Sequence, residues 1–430
     1  MPVGPRIRSV GRGISLAAAA ALIALLGAEL ALALTDYPPA YNDHQRFLVE
    51  YDSLRGWRNI PGAKGRLISP EFSVEMEYNA HAYRGPLHPY AKPAGTFRVL
   101  LLGDSFLEAY TVALRDRVAE VAAKILQSEH RPVEVVALGT GGYSTDQELL
   151  WLESEGFRYH PDLVVVLFCT NDIWYNNRAD YPRGMKPVFR VKDDSLVLTN
   201  VPVPHPTASA APEPESPVGR FLAAKRFAGR RSRLYRLAQR AVRRSVWLQS
   251  VMTRWGLMGG PLGGAETSNG RVTVPLEYTV FADRLSPEAD SAVAVTERLL
   301  AEMQRQVRAS GAQLVAMLVP PNEALYPPGA PQSTHFVRVP PFGDPYRANE
   351  RVRTICDRAG IACVDPTARF VAVAESLAPR GRLLVFEEDE HWNEQGHRVA
   401  ASALADIVRA AMASSNPPRS SAPTSHPAGR

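Results

Sequence analysis

An α/β fold with a parallel sheet covered on both faces follows from three features of the 430-residue sequence. From Phe97 onward, short apolar runs alternate with segments of helical period. The runs are continuously apolar rather than alternating, which suits strands buried on both faces. The first three end in turns that contain glycine, serine or asparagine, the composition expected where a strand hands the chain to a helix.

The elements read in order. Tyr37 to Tyr90 is loop-rich, with short extended runs such as Phe72–Tyr78, and makes the 36–96 stretch a cap on the domain that follows. Phe97–Leu102 is a buried strand, and Asp116–Gln127 a helix. Val133–Leu138 is the second strand, followed by a helix over about Asp146–Glu155. Leu163–Phe168 is the third strand. A helix capped by Ser286-Pro287 runs to Ala309 and leads to the strand Gln313–Val319. A helix over Arg347–Ala359, a strand over Ala362–Val364 and a helix from Asn393 to about Met412 complete the domain, which spans 97–413.

About Tyr175 to Phe281 interrupts this rhythm. The interruption opens with a hairpin signal, Val188–Val191 and Leu196–Leu198 around Asp193-Asp194-Ser195. Six prolines follow between Pro202 and Pro217. A basic helix comes next: eleven Lys and Arg and no acid lie between Arg220 and Arg254. The net charge of +5 therefore belongs to one segment, and the rest of the chain is net acidic. Leu222, Leu234, Leu237, Val246 and Trp247 interleave with Arg226, Arg230, Arg233, Arg240 and Arg244. Such a helix either lies against anionic headgroups or an acidic glycan, or is the solvated face of a lid. The tail 414–430 has almost nothing to bury and is expected to be disordered.

Composition closes several routes. With 45% hydrophobic and 22% charged residues the chain is neither disordered throughout nor a polytopic membrane protein. Three cysteines with no CxxC pair exclude a disulfide framework and a zinc ribbon. Cys356 and Cys363 are the pair an oxidising compartment could join, but seven residues apart on a helix and the next strand their geometry is not set by the sequence.

Ile14–Leu34 is nearly all Ala, Leu, Ile and Gly, with Arg6, Arg8 and Arg12 before it. As a helix its twenty-one residues rise roughly 32 Å, against about 30 Å of bilayer hydrocarbon. The leading arginines favour a cytoplasmic N-terminus, which puts the chain after Thr35 outside. Residues 1–35 are thus expected to be a single-pass signal anchor; the other reading is a signal peptide cleaved after Ala33. Glu29, near the end of the run, can reach the interface.

Chemistry-bearing residues gather at the ends of the strands, where an open parallel sheet forms its crevice. Gly103-Asp104-Ser105-Phe106 follows the first strand, and Gly139-Thr140-Gly141-Gly142 the second. Cys169-Thr170-Asn171-Asp172 follows the third. Glu387-Glu388-Asp389-Glu390-His391-Trp392-Asn393 precedes the last helix. A serine, a glycine with a free backbone donor, an amide and an acid–histidine pair are the parts of an acyl-transfer site. The same residues make poor alternatives. The acidic loop has no second histidine cluster for a metal. Ser144 stands at the last position of the glycine run, where a dinucleotide fingerprint needs glycine or alanine. Cys169 reads as a buried small hydrophobe, and His397 as structural.

These four blocks, in this order, resemble the SGNH/GDSL hydrolase superfamily, particularly its membrane-anchored bacterial members. The resemblance covers Phe97–Ile173 and Leu285–Ala411 and leaves the basic insertion outside. It implies a three-layer α/β/α, flavodoxin-like fold with five parallel strands. It also implies Ser105 as nucleophile, His391 as general base and Asp389 as the acid that orients it. The oxyanion hole would come from the Ser105 and Gly142 N–H groups and the Asn171 side chain. The sequence departs from the family pattern at Ala137, often asparagine, and at Cys169, usually glycine. The family's aspartate commonly stands three residues before the histidine, where Glu388 lies; Asp389 matches the Asp-x-His-Trp form. The implied activity is an extracytoplasmic serine esterase acting on an O-acyl group of a carbohydrate or lipid. No cofactor and no metal are needed, and a nucleic acid partner is not expected. An O-acyltransferase using the same site and a non-catalytic glycan-binding protein are the two other readings.

Overall fold

The computed structural model describes residues 5–35, 37, 48–193, 195–205, 232–243, 245, 248, 251, 262–267, 270–327 and 344–415. Its centre is a five-stranded parallel sheet. The strands are β1 (Phe97–Gly103), β2 (Val133–Gly139), β3 (Leu163–Phe168), β4 (Gln313–Leu318) and β5 (Ala362–Val364). Their order across the sheet is β5-β4-β3-β1-β2. The chain thus starts near the middle, steps to one edge, crosses back and runs to the other. That reversal beside β1 is the switch point where an open α/β sheet presents its crevice. All seven residues of β1 and all six of β3 are buried, which is why their sequences are apolar without alternation.

Side chains leave the two faces alternately. Leu100, Leu102, Val136, Leu138, Val164 and Val166 pack under α2 (Thr145–Ser154), α3 (Pro287–Ala309) and α4 (Arg347–Ala359). Val99, Leu101, Val135, Leu163 and Val165 pack under α1 (Val118–Ile125), α5 (Thr367–Leu377) and α6 (Glu394–Ser415). The α/β fold with a central parallel sheet is therefore as the sequence predicts, with small differences at element ends. The helix expected over Asp116–Gln127 has 3₁₀ turns at both ends, Leu114–Asp116 and Leu126–Ser128. α5 was not predicted at all. Its start is nonetheless written in Asp365-Pro366-Thr367, where the Asp365 carboxylate accepts the Thr367 N–H at 3.0 Å. α6 starts at Glu394, after the Asn393 side chain takes the Gln395 and Gly396 N–H groups, and it runs to Ser415. The expected tail is shortened to residues that lie outside the described ones.

The cap contributes two antiparallel hairpins, Val49–Asp52 with Gly56–Asn59 and Lys64–Ile68 with Ser73–Glu77. The insertion is represented by the predicted hairpin, Val188–Lys192 with Ser195–Thr199, and by a short one, Asp180–Tyr181 with Gly184–Met185. A third pairs Leu262–Thr267 with Gly270–Pro275. The start of the insertion is held by a fully buried ion pair, with Lys186 Nζ at 2.6 and 2.8 Å from the Asp146 carboxylate of α2. Of the basic segment, the helix Arg233–Arg243 is described; Arg226, Arg230 and Arg244, and the prolines from Pro206 to Pro217, lie outside the described residues.

The N-terminal apolar run forms one helix, Pro5–Leu34, with Leu22, Ile23, Leu25, Leu26 and Leu30 exposed. Among the described residues no helix is long and apolar enough to cross a membrane. Glu29 accepts hydrogen bonds from Ser232 Oγ at 2.9 Å and from the Arg233 and Leu234 N–H groups at 2.5 and 3.0 Å. It caps the start of the basic helix. Cys356 and Cys363 are free thiols rather than a disulfide.

Candidate active site

β1 delivers the chain into a tight turn. Asp104 caps the short helix Ser105–Glu108, its carboxylate accepting the Phe106 N–H at 2.9 Å. Ala109 then closes the helix in the left-handed region, at φ 56°. The buried Arg84 of the cap satisfies the freed carbonyls, donating to Glu108 O at 3.2 Å, to Val112 O at 2.8 Å and to Ala109 O. Ser105 is thereby fixed at the first helical position beyond the strand, with its hydroxyl clear of the sheet.

Ser105 Oγ lies 2.7 Å from His391 Nε2, and His391 Nδ1 lies 2.7 Å from Asp389 Oδ1. The three side chains come from opposite ends of the domain and form one hydrogen-bonded relay. At the alternative spacing, the Glu388 backbone N–H donates to Glu71, while it is the Asp389 carboxylate that meets His391 Nδ1. The Tyr110 hydroxyl donates to the Asp389 carboxylate, 3.1 Å from each oxygen. The Phe106 ring lies 4.6 Å from the imidazole, centre to centre.

The electrostatics follow. Burial alone would hold the His391 imidazole below its ordinary pKa; the Asp389 carboxylate outweighs it and raises the value. Burial pushes Asp389 up, but His391 and Tyr110 bring it below the usual carboxylate range. Asp104, wholly enclosed, is raised to about 6 by burial against the Phe106 N–H. Burial also drives the Cys169 thiol well up, so it offers no thiolate.

The oxyanion side is built from the loop after β2. Gly139 has no room for a side chain: a Cβ there would stand 2.5 Å from the Glu108 nitrogen. Gly142 adopts φ +79°, a region that favours glycine, and the Tyr181 ring closes over its α-carbon. Glu108 is buried and accepts the Gly141 N–H at 2.8 Å and the Tyr78 hydroxyl, so it ties this loop to the nucleophile helix. Ser105, Gly142 and His391 share one cavity of about 550 Å³ with Tyr110, Trp57, Tyr181 and Arg183. Asn171 is not among the residues lining that cavity; it is half-buried at the start of a short helix after β3, with a shielded and unpartnered Oδ1.

Several of these residues escaped the sequence reading. Glu108 had a faint signal, an acid on the turn of helix that carries Ser105. Tyr110, Glu71, Trp57, Tyr181 and Arg183 had none, because loops distant in sequence bring them together. His397 is buried edge-on against Trp392 at 5.5 Å, and burial lowers it to about 3, in keeping with a packing role. Among the described residues no cluster of His, Cys, Asp and Glu could hold a metal ion.

With this geometry in view, two family matches decide the assignment. The GDSL-like Lipase/Acylhydrolase family matches residues 101–245, and the SGNH hydrolase-like domain of the acetyltransferase AlgX matches residues 278–428. Both matched segments are of SGNH/GDSL hydrolase type. The chemistry they carry is that of a serine ester hydrolase. Solved structures similar to this hydrolase include the acetyl xylan esterase AlAXEase, at 13% identity over 73% of this chain and 100% of that one, with a TM-score of 0.37. Axe2, an acetylxylan esterase from Geobacillus stearothermophilus, shares 12% identity over 73% of this chain and 94% of its own, with a TM-score of 0.36. TesA gives 12%, 73%, 99% and 0.34 respectively. No curated protein sequence matches the chain.

Proposed function

We propose that this hydrolase removes an O-acyl group, acetyl in the first place, from a carbohydrate or lipid ester outside the cytoplasm. The observation that carries the reading is the Ser105–His391–Asp389 relay opening into an aromatic-walled cavity. His391 Nε2 takes the Ser105 proton as Oγ attacks the ester carbonyl, and Asp389 keeps the other ring nitrogen protonated. The Ser105 and Gly142 N–H groups receive the oxyanion, an interaction worth about 2.7–4 kcal/mol per donor in comparable sites. Imidazolium returns the proton to the departing alkoxide, and water repeats the sequence to free the acid. Trp57, Tyr51 and Tyr181 with Arg183 and Glu50 line the same cavity, offering ring surfaces and polar groups suited to a sugar. Loss of fluorophosphonate labelling and of p-nitrophenyl acetate hydrolysis in Ser105→Ala, with the fold retained, is the expected result; retained hydrolysis would end the reading.

A second reading, O-acyl transfer to another hydroxyl, is favoured by the match of residues 278–428 to the AlgX acetyltransferase domain. The two differ only in what attacks the acyl-enzyme, so acceptor-dependent turnover separates them. The extracytoplasmic location rests on the apolar run Ile14–Leu34 behind three arginines. A reporter fused after Met412 should be active only in the exported state, and the protein should stay with membranes through a high-salt wash.

A further inference from the structure

The acid–histidine loop raises an accounting question. Leu384 O accepts the Asn393 N–H at 3.0 Å, Val385 bridges Trp392, and the Phe386 N–H donates to His391 O at 2.9 Å. The loop is thus a narrow hairpin with residues 387–390 at its tip, and the Glu390 N–H turns back to Phe386 O at 3.0 Å, with Glu390 at φ +69°. That leaves the N–H groups of Glu387, Glu388 and Asp389 converging on one side with no backbone acceptor. Successive N–H groups in such a turn make a concavity that attracts an anion.

The chain fills the concavity itself. Glu71 stands at the tip of the Lys64–Ile68/Ser73–Glu77 hairpin, whose turn is closed by the Ser69 N–H donating to Phe72 O at 2.9 Å. Its carboxylate accepts all three donors, Glu387 N at 2.7 Å on one oxygen, Glu388 N at 2.9 Å and Asp389 N at 3.0 Å on the other. The neighbouring Phe72 ring packs on Phe386 at 5.0 Å and on Tyr110 at 6.2 Å. The geometry points to Glu71 as a positioning residue: an internal anion that holds the loop so that Asp389 meets His391. This inference rests on the reading of Ser105, His391 and Asp389 as the reacting set. Charge-assisted bonds from a carboxylate to backbone N–H groups are the strong kind, and three of them constrain the very residue whose side chain orients the base.

The consequence is specific. With Glu71 removed, the Asp389 carboxylate drifts from His391, and the imidazole, which faces Asp389, Tyr110 and Asp104, loses the partner that raises it. Glu71→Ala should therefore lower kcat and the fluorophosphonate labelling rate by at least about tenfold with little change in KM, and move the acid limb of the pH profile to lower pH. Formate, a small anion able to occupy the vacated concavity, should restore activity, whereas the neutral isostere formamide should not. Glu71→Gln keeps the shape and loses the charge, so it should fall between the wild type and Glu71→Ala, and it serves if the alanine variant fails to fold. Wild-type kcat and an unmoved acid limb in both variants would overturn the inference, as would a loss of activity with no limb shift and no response to formate. Failure of the wild-type protein to label at Ser105 would instead overturn the reading of the site, whatever the Glu71 variants do.

Discussion

Tyr110 Oη lies 3.1 Å from both carboxylate oxygens of Asp389, and 3.2 Å from the ring nitrogen that Asp389 holds. Tyrosine and carboxylate come from opposite ends of the domain, the first from the turn after the nucleophile helix. Bonds to a charged group contribute about 1.5–3 kcal/mol, so Tyr110→Phe should lower kcat by roughly 10- to 100-fold. Steady-state kinetics on a small acetyl ester checks this; an unchanged kcat would mean that Glu71 and the backbone suffice to hold the acid.

The two adjacent acids should separate cleanly. Asp389→Asn reverses the tautomer that His391 needs and should cost roughly 10⁴ in turnover, as in other triads. Glu388 contributes only its N–H to the loop's anchor, so Glu388→Gln should cost less than about tenfold, within the range of a surface change. The opposite ranking would assign the acid to Glu388.

A pH profile reads the same relation from the other side. The base must be neutral, and Asp389 raises His391 above the ordinary histidine value against the pull of burial. kcat/KM should therefore climb with pH through a midpoint above about 6.5. In Asp389→Asn only the Asp104 carboxylate is left to oppose burial, so the midpoint should fall relative to the wild type. A midpoint that stays put would mean that Asp389 does not control the ring.

Gly142→Ala tests the oxyanion loop. A Cβ at this position would stand 2.6 Å from the Tyr181 ring, and φ +79° disfavours it independently of space. Displacing one oxyanion donor should reduce kcat by about 10²–10³ while KM changes little. Gly142→Ala with Tyr181→Ala relieves the contact but not the backbone strain, so activity should recover only in part. Full recovery would show that crowding alone is at issue.

The sheet was legible because its physics is local. β1 and β3 are buried on both faces and announce themselves as unbroken apolar runs, and α3 carries its own cap at Ser286. α5 was missed because its alanine-rich sequence has weak periodicity, although Asp365-Pro366-Thr367 marks its start. Within the site, Ser105, His391 and Asp389 were readable because each sits in a short motif beside a strand or helix end. Glu71 and Tyr110 were not, since a carboxylate that binds backbone N–H groups leaves no pattern in its own neighbourhood. Asn171, the oxyanion donor that the motif implies, stands at the start of the short helix after β3 with its Oδ1 shielded and unpartnered.

The Lys186–Asp146 pair, wholly buried at 2.6 Å, lies where the insertion leaves the sheet domain. Removing one partner from such a pair typically costs 3–5 kcal/mol, far more than a surface contact. It pins the stretch that includes Tyr181 and Arg183 before the chain goes on into its proline-rich and basic part. Further along, Val203 rejoins the cap, its N–H donating to Ser53 O at 2.7 Å and its carbonyl accepting the Tyr51 hydroxyl at 2.6 Å. The first thirty or so residues of the insertion are therefore tied at both ends to the elements that wall the cavity, and Pro204 continues that wall. A stretch anchored in this way is a built part of the chamber, so lengthening or shortening it would reshape the space in which Ser105 works.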